Sequence, residues 1–351
     1  MSARSRHSLK DVARAADVSV ATVSRYLNGQ LELPAATRDR IDEAVRRLDY
    51  RPNPHARRLS LGRSDTLALI IPDIANPFFA RLAAAMEQAA AARGVMVTLH
   101  ATMNRAEREL AALDLASRNH VDGLVFVTNH MPPPEVAALI NSFPRAVILD
   151  EDVRGAVAPR LMCDNEMGGV LAGRALYRAG HRRVAYIGGR EDLFSTSARL
   201  AGLKRGMEGI APARSYVHDH AAASGRELAQ RFLQDGGEAT ALFVGSDELL
   251  VGVLDVFRER GVRVPDDHSI ISFDNVRSLH LFDPAITAVE QPVDSLGRRA
   301  VELLLEGDWD APGFRQTLEL LPVTLVERAS VRAPANNNKS VRPHNQQREK
   351  Q

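Results

Sequence analysis

The chain has 351 residues, 45% of them hydrophobic and 25% charged, which leaves room for a small domain beside a larger core. Its single cysteine, Cys163, excludes an intrachain disulfide and a cysteine metal cluster. No apolar run is long enough to cross a bilayer, and the start, MSARSRHSLKD, has no apolar core for a signal peptide, so a cytoplasmic chain is expected.

The net charge of +1 hides an asymmetry. Residues 1–64 hold 13 Lys and Arg against 7 Asp and Glu, a net +6. Residues 65–330 hold 27 against 36, a net −9, and residues 331–351 hold 5 against 1, a net +4. A basic head on an acidic body suits binding a polyanion through the head alone.

In chain order, residues 9–28 read as two short helices joined by a tight turn. Val12, Ala13 and Ala16 make one apolar face, and Val23 with Leu27 makes the next. Ser8 is placed to cap the first helix, with Asp11 as return partner, and Ser19 to cap the second. Such a pair reads as a helix-turn-helix. Pro52, Asn53 and Pro54 then end the compact head. Asn53 and Pro54 fit the cap and first position of a short helix over His55–Leu61. A helix that short is marginal by itself.

From Thr66 onwards apolar strand-like runs alternate with amphipathic helices. The runs are Leu67–Ile71, Val95–Leu99, Gly123–Val127, Ala146–Leu149, Val184–Ile187, Ala241–Val244 and Ser269–Phe273. Helical stretches include Phe78–Ala92, Glu107–Arg118, Met167–Ala179, Ala198–Met207, Glu227–Leu233 and Glu248–Arg260. The alternation predicts an α/β class with parallel sheets covered on both faces, and two sheets rather than one overlong sheet. Ligands of such sheets gather at the carboxyl ends of strands.

The runs VSVATVSRYLNG, TRDRIDEAVRRLDYRPN, IIPDIANPFFA, GHRRVAYIGG, ARLAG, VPDDHSIISFDN and ITAVEQP stand in this order. Together they resemble the LacI/GalR family of transcriptional repressors from about Ser8 to about Arg328. The resemblance implies a helix-turn-helix DNA-binding domain over 1–52, a hinge helix and linker over 53–64 and a two-lobed, periplasmic-binding-protein-like core over 65–328. Residues 329–351 are left as a disordered polar tail. The tail lacks leucine heptads for a tetramer-forming coiled coil, so a homodimer is expected. One departure is Asp17, in a turn where the family usually has Gly; Asp tolerates a positive φ better than most residues.

The implied DNA contacts in the head are Ser19, Val20, Ala21, Thr22, Ser24, Arg25 and Asn28. Val20 and Ala21 suit thymine methyls, Arg25 suits a guanine, and Thr22 and Ser24 suit phosphates. In the hinge they are His55, Ala56 and Leu59, with Leu59 as a minor-groove wedge that bends the operator. The implied effector contacts are Asp73, Phe79, Thr128 (or its neighbour Asn129), Asp150, Arg199, His220, Ser246 and Asp274, with Asp247 beside Ser246. Carboxylates and a guanidinium suit sugar hydroxyls, and an imidazole face suits the apolar side of a ring. No cofactor and no metal is expected; His218 and His220 at i, i+2 lack a third ligand.

A core of this type also serves two other classes. An enzyme of the same core type would need a reactive motif, and Gly188-Gly189 continues into none of G-x-G-x-x-G, a P-loop, a G-x-S-x-G elbow or H-E-x-x-H. An exported solute-binding protein would carry a leader and no DNA-binding head. Induction by the ligand, corepression, and a protein corepressor all stay open at this level.

Overall fold

A computed structural model describes residues 8–50 and 63–334. The expected hinge, with His55, Ala56 and Leu59, lies outside the described residues. The chain divides between Asp65 and Thr66 into two compact units.

The first unit holds three helices, α1 (Leu9–Ala16), α2 (Val20–Leu27) and α3 (Ala35–Arg47). The Asp11 carboxylate accepts from both the Ser8 amide and the Ser8 hydroxyl at 2.8 Å, tying down the α1 start. Asp17 closes α1 in the left-handed region, at φ 53 and ψ 52. Ser19 Oγ accepts the Thr22 amide at 3.0 Å and caps α2. Val12, Ala13, Ala16, Val23, Ile41 and Ala44 form the small core. Tyr26 on α2 donates to Asp42 on α3 at 3.1 Å and fixes the second helix on its scaffold.

The second unit holds two six-stranded sheets. The first is built from β1 (Thr66–Ile71), β2 (Met96–Ala101), β3 (Gly123–Val127), β4 (Ala146–Leu149), β5 (Arg160–Cys163) and β11 (Leu318–Leu321), in the order β11-β5-β4-β3-β1-β2. All its pairings are parallel, with Leu67 opposite both Val97 and Gly123. The second is built from β6 (Val184–Gly188), β7 (Arg214–Val217), β8 (Ala241–Val244), β9 (Ser269–Phe273), β10 (Thr287–Glu290) and β12 (Thr324–Val326). Its order is β12-β10-β9-β8-β6-β7, and only β12 runs antiparallel. The central strands are buried on both faces, which is why they read as unbroken apolar runs.

Helices cover both faces of each sheet. On the first lobe, α4 (Pro77–Ala91) and α11 (Val293–Glu306) bury Leu82, Met86, Leu296 and Leu304 against β1, β3 and β4. On its other face lie α5 (Ala106–Arg118) and α6 (Pro134–Ser142). The second lobe carries α7 (Asn165–Arg178) and α8 (Phe194–Gly206) on one face, α9 (Ala222–Gln234) and α10 (Asp247–Arg260) on the other. The chain therefore passes between lobes three times, after β5, after β10 and after β11.

The packing of α7 on α8 is unusually close because glycines line the crossing. A Cβ on Gly202 would lie 2.9 Å from the Val170 nitrogen and closer still to the Glu166 carbonyl oxygen. A Cβ on Gly173 would lie 2.6 Å from the Leu203 oxygen.

The packed core runs past the expected boundary at 328. Ser330 is buried, donates to the Ile270 carbonyl at 2.6 Å and accepts the Thr287 amide at 2.8 Å. The Arg332 carbonyl meets His181 Nε2 at 2.9 Å. Polar composition hid this segment because its serine is used as a backbone-bridging group rather than as surface.

Candidate effector cleft and DNA-reading helix

The carboxyl ends of strands from both lobes converge on one small cavity, of about 50 Å³. The first lobe contributes Asn76 and Phe79 after β1, Asn129 after β3, and Asp150 and Glu151 after β4. The second contributes Ser195 and Arg199 from α8, His220 after β7, Ser246 and Asp247 after β8, Asp274 after β9 and Gln291 after β10.

Asp150 and Asp274 occupy matching places, each the first residue past a central strand, and share a strained backbone at φ 75 and 73. A side chain in that region costs on the order of 1–3 kcal/mol and persists where the surroundings hold it. Here it turns each carboxylate out of the sheet and into the cavity.

Arg199 is the centre of the second lobe's polar wall. Its Nε donates to Asn165 at 2.8 Å, its Nη1 to the Gly245 carbonyl at 2.5 Å, and its plane lies 3.6 Å over the Phe273 ring. Gln291 Nε2 donates to Asp274 at 2.5 Å, and its Oε1 is buried without a partner among the described residues. His220 Nδ1 pairs with Ser246 Oγ at 3.0 Å, while Ser246 Oγ also accepts the Leu249 amide and caps α10.

A hydrogen-bonded contact joins the lobes directly. Glu151, on the first lobe, accepts the Ser195 amide of the second at 3.2 Å and the Ser195 hydroxyl in a short hydrogen bond. The carboxylate thereby caps the start of the opposite lobe's helix, where the helix dipole favours negative charge.

Burial dominates the electrostatics. It lifts Asp150 to about 7, helped by Glu151 and Asp274 and opposed by Arg199. It lifts Asp247 to about 7, helped by Asp274 and Glu248. Glu151 and Asp274 are raised by the same desolvation, with Arg199 and their own hydrogen bonds pulling back. His220 falls to about 3 through burial and the neighbouring guanidinium, so it stays neutral.

Of the eight effector residues expected from sequence, Phe79, Asp150, Arg199, His220, Ser246 and Asp274 line this cavity. Asp73 does not. Its carboxylate accepts the Ala75 amide at 2.9 Å and is spent on the turn after β1. Thr128 does not either, because its hydroxyl turns into the first lobe and donates to buried Glu109 at 3.0 Å; its alternative, Asn129, lines the cavity instead. Sequence reasoning passed over Asn76, Glu151, Ser195 and Gln291. His218 and His220 diverge, His218 Nδ1 meeting Ser224 Oγ at 2.9 Å.

On α2, Val20 is 39% exposed although apolar, and Ala21 and Arg25 are exposed beside it. Thr22 is half-buried, its hydroxyl 2.8 Å from Ser19 Oγ, and Ser24 and Asn28 are half-buried too. The exposed trio thus sits on the face that the scaffold leaves uncovered. Among the described residues no helix is long and apolar enough to cross a membrane.

Comparison with known proteins matches both units. Residues 8–53 fit the model of bacterial regulatory proteins of the lacI family, and residues 174–331 fit a periplasmic binding protein-like domain. Catabolite control protein A of Priestia megaterium is 34% identical over 300 residues, which is 84% of this chain and 90% of that protein. The lac repressor dimer bound to operator and the anti-inducer ONPF superposes with a TM-score of 0.79 at 27% identity, covering 93% of this chain and all of that one. A CelR transcriptional regulator in complex with cellobiose gives 0.67 at 26%, again covering 93% of this chain and all of that one. With the helix-turn-helix head and the two-lobed core both accounted for, the chain belongs to the lacI family of DNA-binding transcriptional regulators and is not an enzyme.

Proposed function

We propose that the protein works in the cytoplasm as a homodimeric repressor of a palindromic operator, released or retained by a small polyhydroxylated effector in the cleft. The observation that carries the reading is the cavity itself. Its walls come from two lobes joined by three strand-end crossings, so a ligand touching both walls favours one separation of the lobes over another. A ligand acts on DNA binding only through such a difference in affinity between states. The six expected residues around the cavity, with Asp247 and Gln291, are assigned to the effector. Val20, Ala21 and Arg25 are assigned to base edges, Ser19, Thr22, Ser24 and Asn28 to positioning on the backbone, and His55, Ala56 and Leu59 to the hinge's part in DNA binding, with Leu59 as the minor-groove wedge and Ala56 where two hinges meet. The related repressor dimer on its operator and the related regulator with cellobiose support the same division of labour.

The test begins with selection of bound duplexes from random DNA, followed by anisotropy titrations over a salt series. A two-fold symmetric site bound by a dimer, with affinity falling steeply in salt, is expected. An asymmetric site bound by a monomer would overturn the operator reading. Asp274→Ala is expected to keep operator binding and lose the effector response; a normal response at normal ligand concentration would overturn the cleft assignment.

A further inference from the structure

The cavity has far more capacity to accept hydrogen bonds and positive charge than to donate them. Asp150, Glu151, Asp247, Glu248 and Asp274 line it, against one cationic side chain, Arg199. Two of that guanidinium's five N–H groups already go to Asn165 and to the Gly245 carbonyl, and its plane rests on the Phe273 ring. His220 adds no charge, since burial beside Arg199 keeps it neutral.

The other features able to hold an anion are filled from within. Three helices start at the cavity wall, and each start has its own cap. Asn76 Oδ1 takes the Phe78 amide of α4 at 2.8 Å, Ser246 Oγ takes the Leu249 amide of α10, and Glu151 takes the Ser195 amide of α8. A phosphate or carboxylate entering here would meet occupied amides and several carboxyl groups. By contrast, the Gln291 Oε1, on a side chain 4% exposed, is an acceptor with no donor among the described residues. It stands beside Asp274 in the wall, open to a donor from a ligand.

We propose that the effector of this cleft is a polyhydroxylated molecule bearing a protonated amine and no anionic group. This rests on the reading of the cavity as the effector site and adds the charge class. Hydroxyl and ammonium hydrogens satisfy the surplus acceptors, and a bound ammonium favours the ionised form of carboxyls that burial otherwise disposes to keep their protons. A charge-assisted hydrogen bond is about twice as strong as a neutral one, which predicts roughly tenfold tighter binding of an amine than of its hydroxyl isostere.

The experiment uses the full chain on its selected operator. Matched probes are added: hexosamine, hexose, hexuronate and hexose 6-phosphate of the gluco, galacto and manno series. Operator release or tightening and the thermal shift of the protein are both read. The expected result is a half-effect concentration about tenfold lower for an amine than for its neutral isostere, with no effect of the acids, and that advantage reduced in Asp247→Asn. A neutral or acidic probe equal to or better than the amine overturns the charge class and leaves the cleft reading standing. An amine advantage undiminished in both Asp247→Asn and Asp150→Asn also overturns it. No response to any probe counts against the small-polyol reading, and the inference falls with it.

Discussion

Gly202 tests how the glycine-lined crossing of α7 and α8 supports the cleft. In Gly202→Ala the new methyl would stand 2.9 Å from the Val170 nitrogen and closer to the Glu166 carbonyl oxygen. Both are backbone atoms, so no rotamer change relieves the clash. Ordinary contact begins near 3.5 Å, so the helices must part by roughly 1.5 Å. Overpacking of this kind costs about 1–3 kcal/mol. The same displacement would stretch the Arg199–Asn165 hydrogen bond, now 2.8 Å and spanning the two helices, beyond hydrogen-bonding range. A buried donor left unpaired adds about 1–3 kcal/mol. The sum, about 2–6 kcal/mol, lowers the melting temperature of the core by roughly 5–20 °C. Differential scanning calorimetry, with an effector titration on the operator complex, reads both consequences. Ala201→Gly, exposed on the same helix, adds no bulk and should cost no more than about 1 kcal/mol. A Gly202→Ala protein melting at the wild-type temperature with a full effector response would refute the reasoning.

Burial lifts Asp247 to about 7 from an ordinary 3.8, so the folded chain keeps a proton that the unfolded chain has lost. That group costs stability as pH rises from about 4 to about 7, and Asp247→Asn should therefore gain more over wild type at pH 8 than at pH 5; equal differences in paired thermal melts would contradict the shift. Ser195→Ala removes the hydroxyl that Glu151 accepts across the lobes, and spin-label distances between lobes should broaden toward an open form. An unaltered distance distribution would show that this contact does not hold the lobes together. Arg25→Ala should lose about 1–3 kcal/mol of discrimination at one base pair per half-site, read by comparing operator with scrambled DNA. Equal weakening on both would assign Arg25 to a phosphate instead.

The central strands were legible because burial on two faces leaves a run such as Ala241–Val244 uniformly apolar. The edge strand β7, RSYV, was not, because only Tyr216 among its residues is buried. Helix starts were read late for the same kind of reason. The polar residues Ser195 and Thr196 open α8 but are buried, so the amphipathic stretch appeared to begin at Ala198. In the cleft, Asp150 was visible at the end of β4 while Glu151 was not, since alternation along a strand sends neighbours to opposite faces. The positive φ of Asp150 breaks that alternation and brings both carboxyls to the cavity. Thr128 was misplaced because nothing local marks Glu109, a full helix earlier, as the acceptor that draws its hydroxyl inward.

The interleaved lobes set a timetable for synthesis. The first lobe's sheet is nearly complete when Cys163 has been made, yet α11 begins only at Val293 and β11 only at Leu318. At about 5–20 residues per second, the roughly 130 residues between β5 and α11 take some 6–26 s to emerge. Through that interval the face later covered by Leu296, Ala300, Val301 and Leu304 has no helix to seal it. The three-helix head draws on no distant segment for its core and is free to fold first. The nascent core is thus the aggregation-prone stage of this protein's life, and a chain stalled before α11 would be a client for chaperones rather than a truncated sensor.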